Sequence, residues 1–163
     1  GWLITSKAMK RILTTNPANT AALIARVFLA VVLFPHGAQK LLGWFGGNGF
    51  QGTINGLTGN AGLPWVIALL VILIEFFAPL FLLAGFLTRI AAFAIGVEFI
   101  GVVLKAHIHN GFFMNWYRQP NKGEGLEYFI FLFGFVIILL ITGGGKASMD
   151  ASLTHAGQQT TPA

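Results

Sequence analysis

Titratable side chains stand inside the long apolar runs of this 163-residue chain: Arg26, His36 and Lys40 in the first, Glu75 in the second, Glu98 and Lys105 in the third, Glu127 at the head of the fourth. A charge at mid-bilayer costs roughly 2.5–3.5 kcal/mol on insertion scales, so each needs a partner, a water-filled cavity or neutralisation. Counting about 1.5 Å of rise per residue puts Glu75 and Glu98 near mid-depth, with Arg26 about one turn nearer one face and within reach of either carboxylate. An Arg–Glu pair there would form two parallel hydrogen bonds and pin three helices together. The alternative is a carboxylate that relays protons or binds a ligand.

A second cluster is expected at the opposite face, from His36, Lys40, Lys105, His107, His109, Glu127 and Tyr128. His36 and Lys40 are four apart and share a helix face. Lysine and histidine beside a glutamate and a tyrosine suit a quinone carbonyl, an anion or a sulfur oxyanion, whereas interfacial snorkelling is the competing reading. No metal or haem is expected. His107 and His109 point apart on a helix, and no two histidines lie at matching depth on long helices. Gly46-Gly47-Asn48-Gly49 lacks the Lys-Ser/Thr and the preceding strand of a phosphate loop.

These residues need an apolar scaffold. The chain is 55% hydrophobic, 9% charged and has a mean hydropathy of +0.75, against about 25% charged residues in a soluble domain. Spans are expected at about residues 21–42, 65–87, 90–107 and 126–142, each near the length that crosses a core of about 30 Å. The fold class is therefore all-α, an integral membrane four-helix bundle over residues 21–145. Residues 1–20 would precede it and 146–163 would form a flexible tail. Thr88-Arg89 is read as the short connection of an antiparallel hairpin. The uncharged, Gly- and Asn-rich segment 43–62 is read as an ordered loop outside the spans.

The N-terminal apolar run is too long for a signal h-region, and no A-x-A site follows it, so it is expected to be a retained anchor. Gly1 opens the chain and Met9-Lys10-Arg11 reads as a natural start, with residues 1–8 then an added leader. Lys7, Lys10 and Arg11 before the first span favour cytoplasmic termini. The net charge of +5 is dispersed, which excludes a phosphate-tracking patch and hence nucleic acid. Cysteine is absent, so thiol catalysis and Cys-ligated clusters are excluded.

Arg26, the element Phe34-Pro35-His36-Gly37-Ala38-Gln39-Lys40-Leu41, Glu75, Gly85-Phe86-Leu87-Thr88-Arg89 and Glu127-Tyr128 together resemble the DoxX family over about residues 20–145. The resemblance implies a four-helix inner-membrane protein of bacteria or archaea, and the bacterial inner membrane is the expected location. Founding members belong to thiosulfate:quinone oxidoreductase, where a DoxX-like domain works with a DoxA-like part that this sequence does not contain. It implies roles for Arg26, His36, Gly37, Lys40, Glu75, Arg89, His107 and Glu127. The expected function is a subunit supporting quinone-linked oxidoreduction, with His36, Lys40, His107, Glu127 and Tyr128 at the quinone pocket. Arg26, Glu75, Glu98 and Arg89 would be structural or proton-relaying. A partner oxidoreductase subunit or a second copy would complete it. A non-catalytic scaffold and a small transporter are the rivals.

Overall fold

Buried positions in the first apolar run fall at Ala22, Ala25, Arg26, Leu29, Ala30, Leu33, Gly37 and Ala38, steps of three, four and one that make a single helical stripe. The computed structural model describes the backbone of residues 2–159 and the side chains of residues 8–154. It is all-helical, with no strand among the described residues. Three helices are long and apolar enough to cross a membrane: α2 (Thr20–Leu41), α4 (Trp65–Ala84) and α5 (Thr88–Val102), which continues through a wider turn to His107. A shorter apolar helix, α6 (Glu127–Thr142), has 16 residues. The remaining helices are α1 (Trp2–Leu13), α3 (Gly49–Asn55) in the first long loop and α7 (Met149–Gln159).

The apolar helices close a ring. α2 packs on α4 and α6, α4 on α5, and α5 on α6. Their inward faces share one core that includes Leu29, Leu33, Leu82, Ile95, Phe99, Leu132 and Leu139. Outward faces are also apolar, with Phe28, Val31, Phe93, Phe131 and Ile141 all at least 60% exposed. Water would penalise so much open hydrocarbon, whereas lipid does not. The chain is a multi-pass membrane protein.

At the end carrying both termini, two arginines close the bundle. Arg26, fully buried, donates to the carbonyls of Gly144, Leu82, Leu83, Lys146 and Ala147 at 2.7–3.1 Å. Arg89 donates to Leu140 and Ile141 at the end of α6, to Ile12 in the last turn of α1 and to Thr14 just beyond it. Last-turn carbonyls have no intrahelical donor and carry the negative end of the helix dipole, so a guanidinium satisfies both demands. Asp150 supplies the opposite sign. Its two oxygens accept from the amides of Leu87 and Thr88 at 2.8 and 2.9 Å, at the start of α5.

Two expectations change here. Thr88 and Arg89 lie in the first turn of α5, and the connection is Gly85-Phe86-Leu87, with Gly85 and Leu87 left-handed at φ 64° and 48°. Segment 146–154, expected as flexible tail, is docked. Lys146 donates its amide to Asn19, Asp150 to Gly85, and the Ser148 hydroxyl accepts from the Ala151 amide to cap α7. Residues 160–163 lie outside the described part.

Candidate functional site

Gly37 and Pro79 bring the chemistry together. Proline has no N–H, so Pro79 leaves the carbonyl of Glu75, four residues earlier in α4, without its helical donor. Gly37 presses against that carbonyl: a Cβ on it would lie 2.1 Å from the Glu75 oxygen. Close approach of α2 and α4 at this level brings Lys40, one turn beyond Gly37, onto Glu75. We expect Gly37→Ala to force the helices apart at a cost of about 1–3 kcal/mol. Thermal unfolding in detergent measures it, and an unchanged midpoint would show that the close approach is not needed.

The Lys40 ammonium donates to Glu75 Oε2 in a short ion pair. Glu75 is 5% exposed and Glu98 on α5 is 8% exposed. The Glu98 carboxyl lies near Glu75 and Lys40, across the contact of α4 with α5. Among the described residues no side-chain or backbone donor serves either Glu98 oxygen. A buried carboxyl with no donor on either oxygen is open to a proton or to a donor on a bound molecule. Tyr128, half-buried in the first turn of α6, lies on the same level as Glu75.

Glu98 ends a groove. A cavity of about 440 Å³ between α4, α5 and the loop before α4 is lined by Leu57, Leu63, Ile67, Leu70, Ile74 and Val97, with Glu98 and Lys105 as its charged groups. An apolar slot of that size with one or two convergent polar groups is what a flat, lipid-soluble ring requires. The sequence reading missed this groove, because it ranked residues by depth and did not ask which helices open toward lipid.

Of the expected pocket of His36, Lys40, His107, Glu127 and Tyr128, Lys40 and Tyr128 come near Glu75, while His36, His107 and Glu127 are engaged elsewhere or exposed. Four residues advance a helix by about 400°, so His36 and Lys40 sit about 40° apart. Lys40 turns inward to Glu75, while His36 is exposed. His107 meets the carbonyl of Glu124 through Nδ1 at 2.8 Å and packs against Phe129 with the rings tilted by 50° and centroids 4.6 Å apart. Glu127 accepts from the Trp116 indole at 2.7 Å. Arg26 likewise lies outside the site: it serves backbone carbonyls, so the Arg–Glu pair expected for it is replaced by Lys40–Glu75. Asp150, which sequence reasoning passed over, carries no chemistry but fixes the start of α5 and hence the helix that bears Glu98. No group of three His, Asp or Glu side chains that could hold a metal occurs among the described residues.

The sequence model of the DoxX family matches residues 21–108, more than half of the chain. The matched stretch holds α2, α4 and α5, and with them Lys40, Glu75 and Glu98. No curated protein and no solved structure matches.

Proposed function

The chain belongs to the DoxX family, and from that premise we propose that it is an inner-membrane subunit that holds a quinone in the α4–α5 groove for a partner redox protein. The observation that carries this reading is the buried Glu98 carboxyl, without a donor among the described residues, on the wall of an apolar groove between α4 and α5. The quinone ring lies among Ile67, Leu70, Ile74 and Val97, its isoprenoid tail lies in lipid, and a ring oxygen meets Glu98. The chain has no cysteine, so electrons come from the partner, whose donor is thiosulfate or another reduced sulfur compound. Both termini face the cytoplasm, and the Lys40 side faces out.

Titration of the purified protein in nanodiscs with a short-chain quinone, followed by tryptophan fluorescence, tests the reading. Saturable binding is expected, weakened about tenfold or more by Glu98→Leu, which removes the hydrogen-bonding group and leaves the ring oxygen unpaired. Gly101→Leu should abolish it. Gly101 lines the groove and has no atom within 4 Å of its Cβ position, so leucine fills the space without strain. Absence of saturable binding, or parental affinity in both variants, overturns the assignment.

A scaffold role is favoured by a different observation. The loop before α6 presents Phe112, Phe113, Trp116 and Tyr117, exposed by 54–88%, beside Arg118 and Lys122. Under that reading the chain anchors a partner without binding quinone, and changing these aromatics releases the partner in co-purification while the groove variants do not.

A further inference from the structure

Two openings meet at Lys40, Glu75 and Glu98. On the loop side a polar vestibule of about 360 Å³ is lined by Gln39, Lys40, Gly47, Asn48, Thr53 and Gly56. On the lipid side lies the apolar groove that ends on Glu98. Lys40 belongs to the vestibule wall and is at the same time bonded to Glu75, which is buried near Glu98. The groove wall offers few polar atoms, so water cannot line up along it to serve Glu98.

We propose that Lys40, Glu75 and Glu98 form a proton-transfer chain from water in the vestibule to the polar head of the molecule in the groove. Only its last hop rests on the quinone reading. Lys40 gives one ammonium proton to Glu75 and regains one from vestibule water. Glu75 passes a proton to Glu98, and Glu98 passes one to an oxygen of the ligand. At each hop one N–H or O–H bond breaks and one forms, one proton enters for each delivered, and no electron moves. The titratable groups at and around the chain come from all four apolar helices: Lys40 from α2, Glu75 from α4, Glu98 from α5 with Lys105 of the groove wall on its continuation, and Tyr128 from α6. Arg26 is held at the other end of the bundle by carbonyls.

The chemistry demands lysine rather than arginine. Both form the ion pair, but a guanidinium does not release its proton in a protein. Lys40→Arg therefore separates a relay from a merely structural cation, which arginine would rescue. Gly56→Leu separates water access from the chain itself: Gly56 has no atom within 4 Å of its Cβ position, so leucine fills the vestibule and leaves the three groups untouched.

Exchange of the Glu98 carboxyl proton for deuterium measures the route. The full chain in nanodiscs without quinone is transferred to D₂O and followed by infrared spectroscopy, with the Glu98 band assigned by its loss in Glu98→Gln. Lys40→Arg and Gly56→Leu are each expected to slow exchange by about tenfold or more, as for loss of a positioned proton carrier. Parental exchange in either variant, at parental unfolding temperature, overturns the chain. Where Lys40→Arg unfolds, Gly56→Leu decides alone. Slowed exchange without quinone binding would sink the quinone reading and keep the proton chain, and the reverse result would do the opposite.

Discussion

Arg26→Met is expected to abolish accumulation of folded protein. The guanidinium is fully buried and serves five backbone carbonyls from two separate parts of the chain, the end of α4 and residues 144–147. Methionine matches the length of the stem but donates nothing, so those carbonyls lose their partner where water cannot replace it. A buried acceptor left unsatisfied costs about 1–3 kcal/mol, and breaking a buried charged network costs about 3–5 kcal/mol, a large share of a typical stability of about 5–15 kcal/mol. Arg26→Lys should recover part of the loss, since an ammonium reaches some of the carbonyls but cannot span them as a fork does. Fluorescence-detected size exclusion, with thermal unfolding of whatever accumulates, reads the effect. A methionine variant that accumulates and melts like the parent would mean that the clasp is not needed.

The second large effect is at Lys40. Lys40→Met removes the one ammonium bonded to Glu75 among the described residues and leaves two carboxyl groups buried near one another. The expected cost is about 3–5 kcal/mol, because the remaining charge is stranded away from water. Lys40→Met combined with Glu75→Leu should regain most of that stability, since an apolar pair of similar volume replaces an ion pair with little net loss. The double variant should nevertheless transfer no protons to Glu98. Unfolding midpoints of the two single variants and the double variant form the cycle that measures the coupling. Strict additivity would show that the two side chains do not interact.

The two effects belong to different ends of the molecule, and that separation is itself informative. The arginines complete helix ends, a demand that any bundle of these helices makes, whereas Lys40, Glu75 and Glu98 satisfy no backbone group and stand beside two openings. Substitutions at the arginines should therefore remove the protein, while Glu98→Gln and Gly56→Leu should leave it folded and change what it does.

Several residues show where sequence reasoning reached its limit. The pattern at Ala22, Ala25, Leu29 and Leu33 follows from a period of 3.6 and from the solvent, so the all-α membrane class was readable from composition and spacing alone. The unusual positions Arg26, Glu75 and Glu98 could also be picked out, because a charge in an apolar run is visible without coordinates. Their partners could not. Residue counting locates a side chain along the membrane normal to within about a turn, but pairing depends on which helices are neighbours and how closely they approach.

The clearest example is Glu75. Its depth pointed to Arg26, yet Gly37 and Pro79 draw Lys40 onto it, and Arg26 is claimed by carbonyls of residues 144–147, more than a hundred positions away. Asp150 shows the same limit from the other side, as an ordinary acidic residue in a polar segment until the chain folds back and places it at the start of α5. The sequence by itself determined the solvent, the helices and which residues are out of place in lipid, since these follow from local periodicity and transfer energy. Only the tertiary structure decided which of those residues meet, because a contact between distant segments depends on the close approach of helices, and that approach is set by all of the ring together.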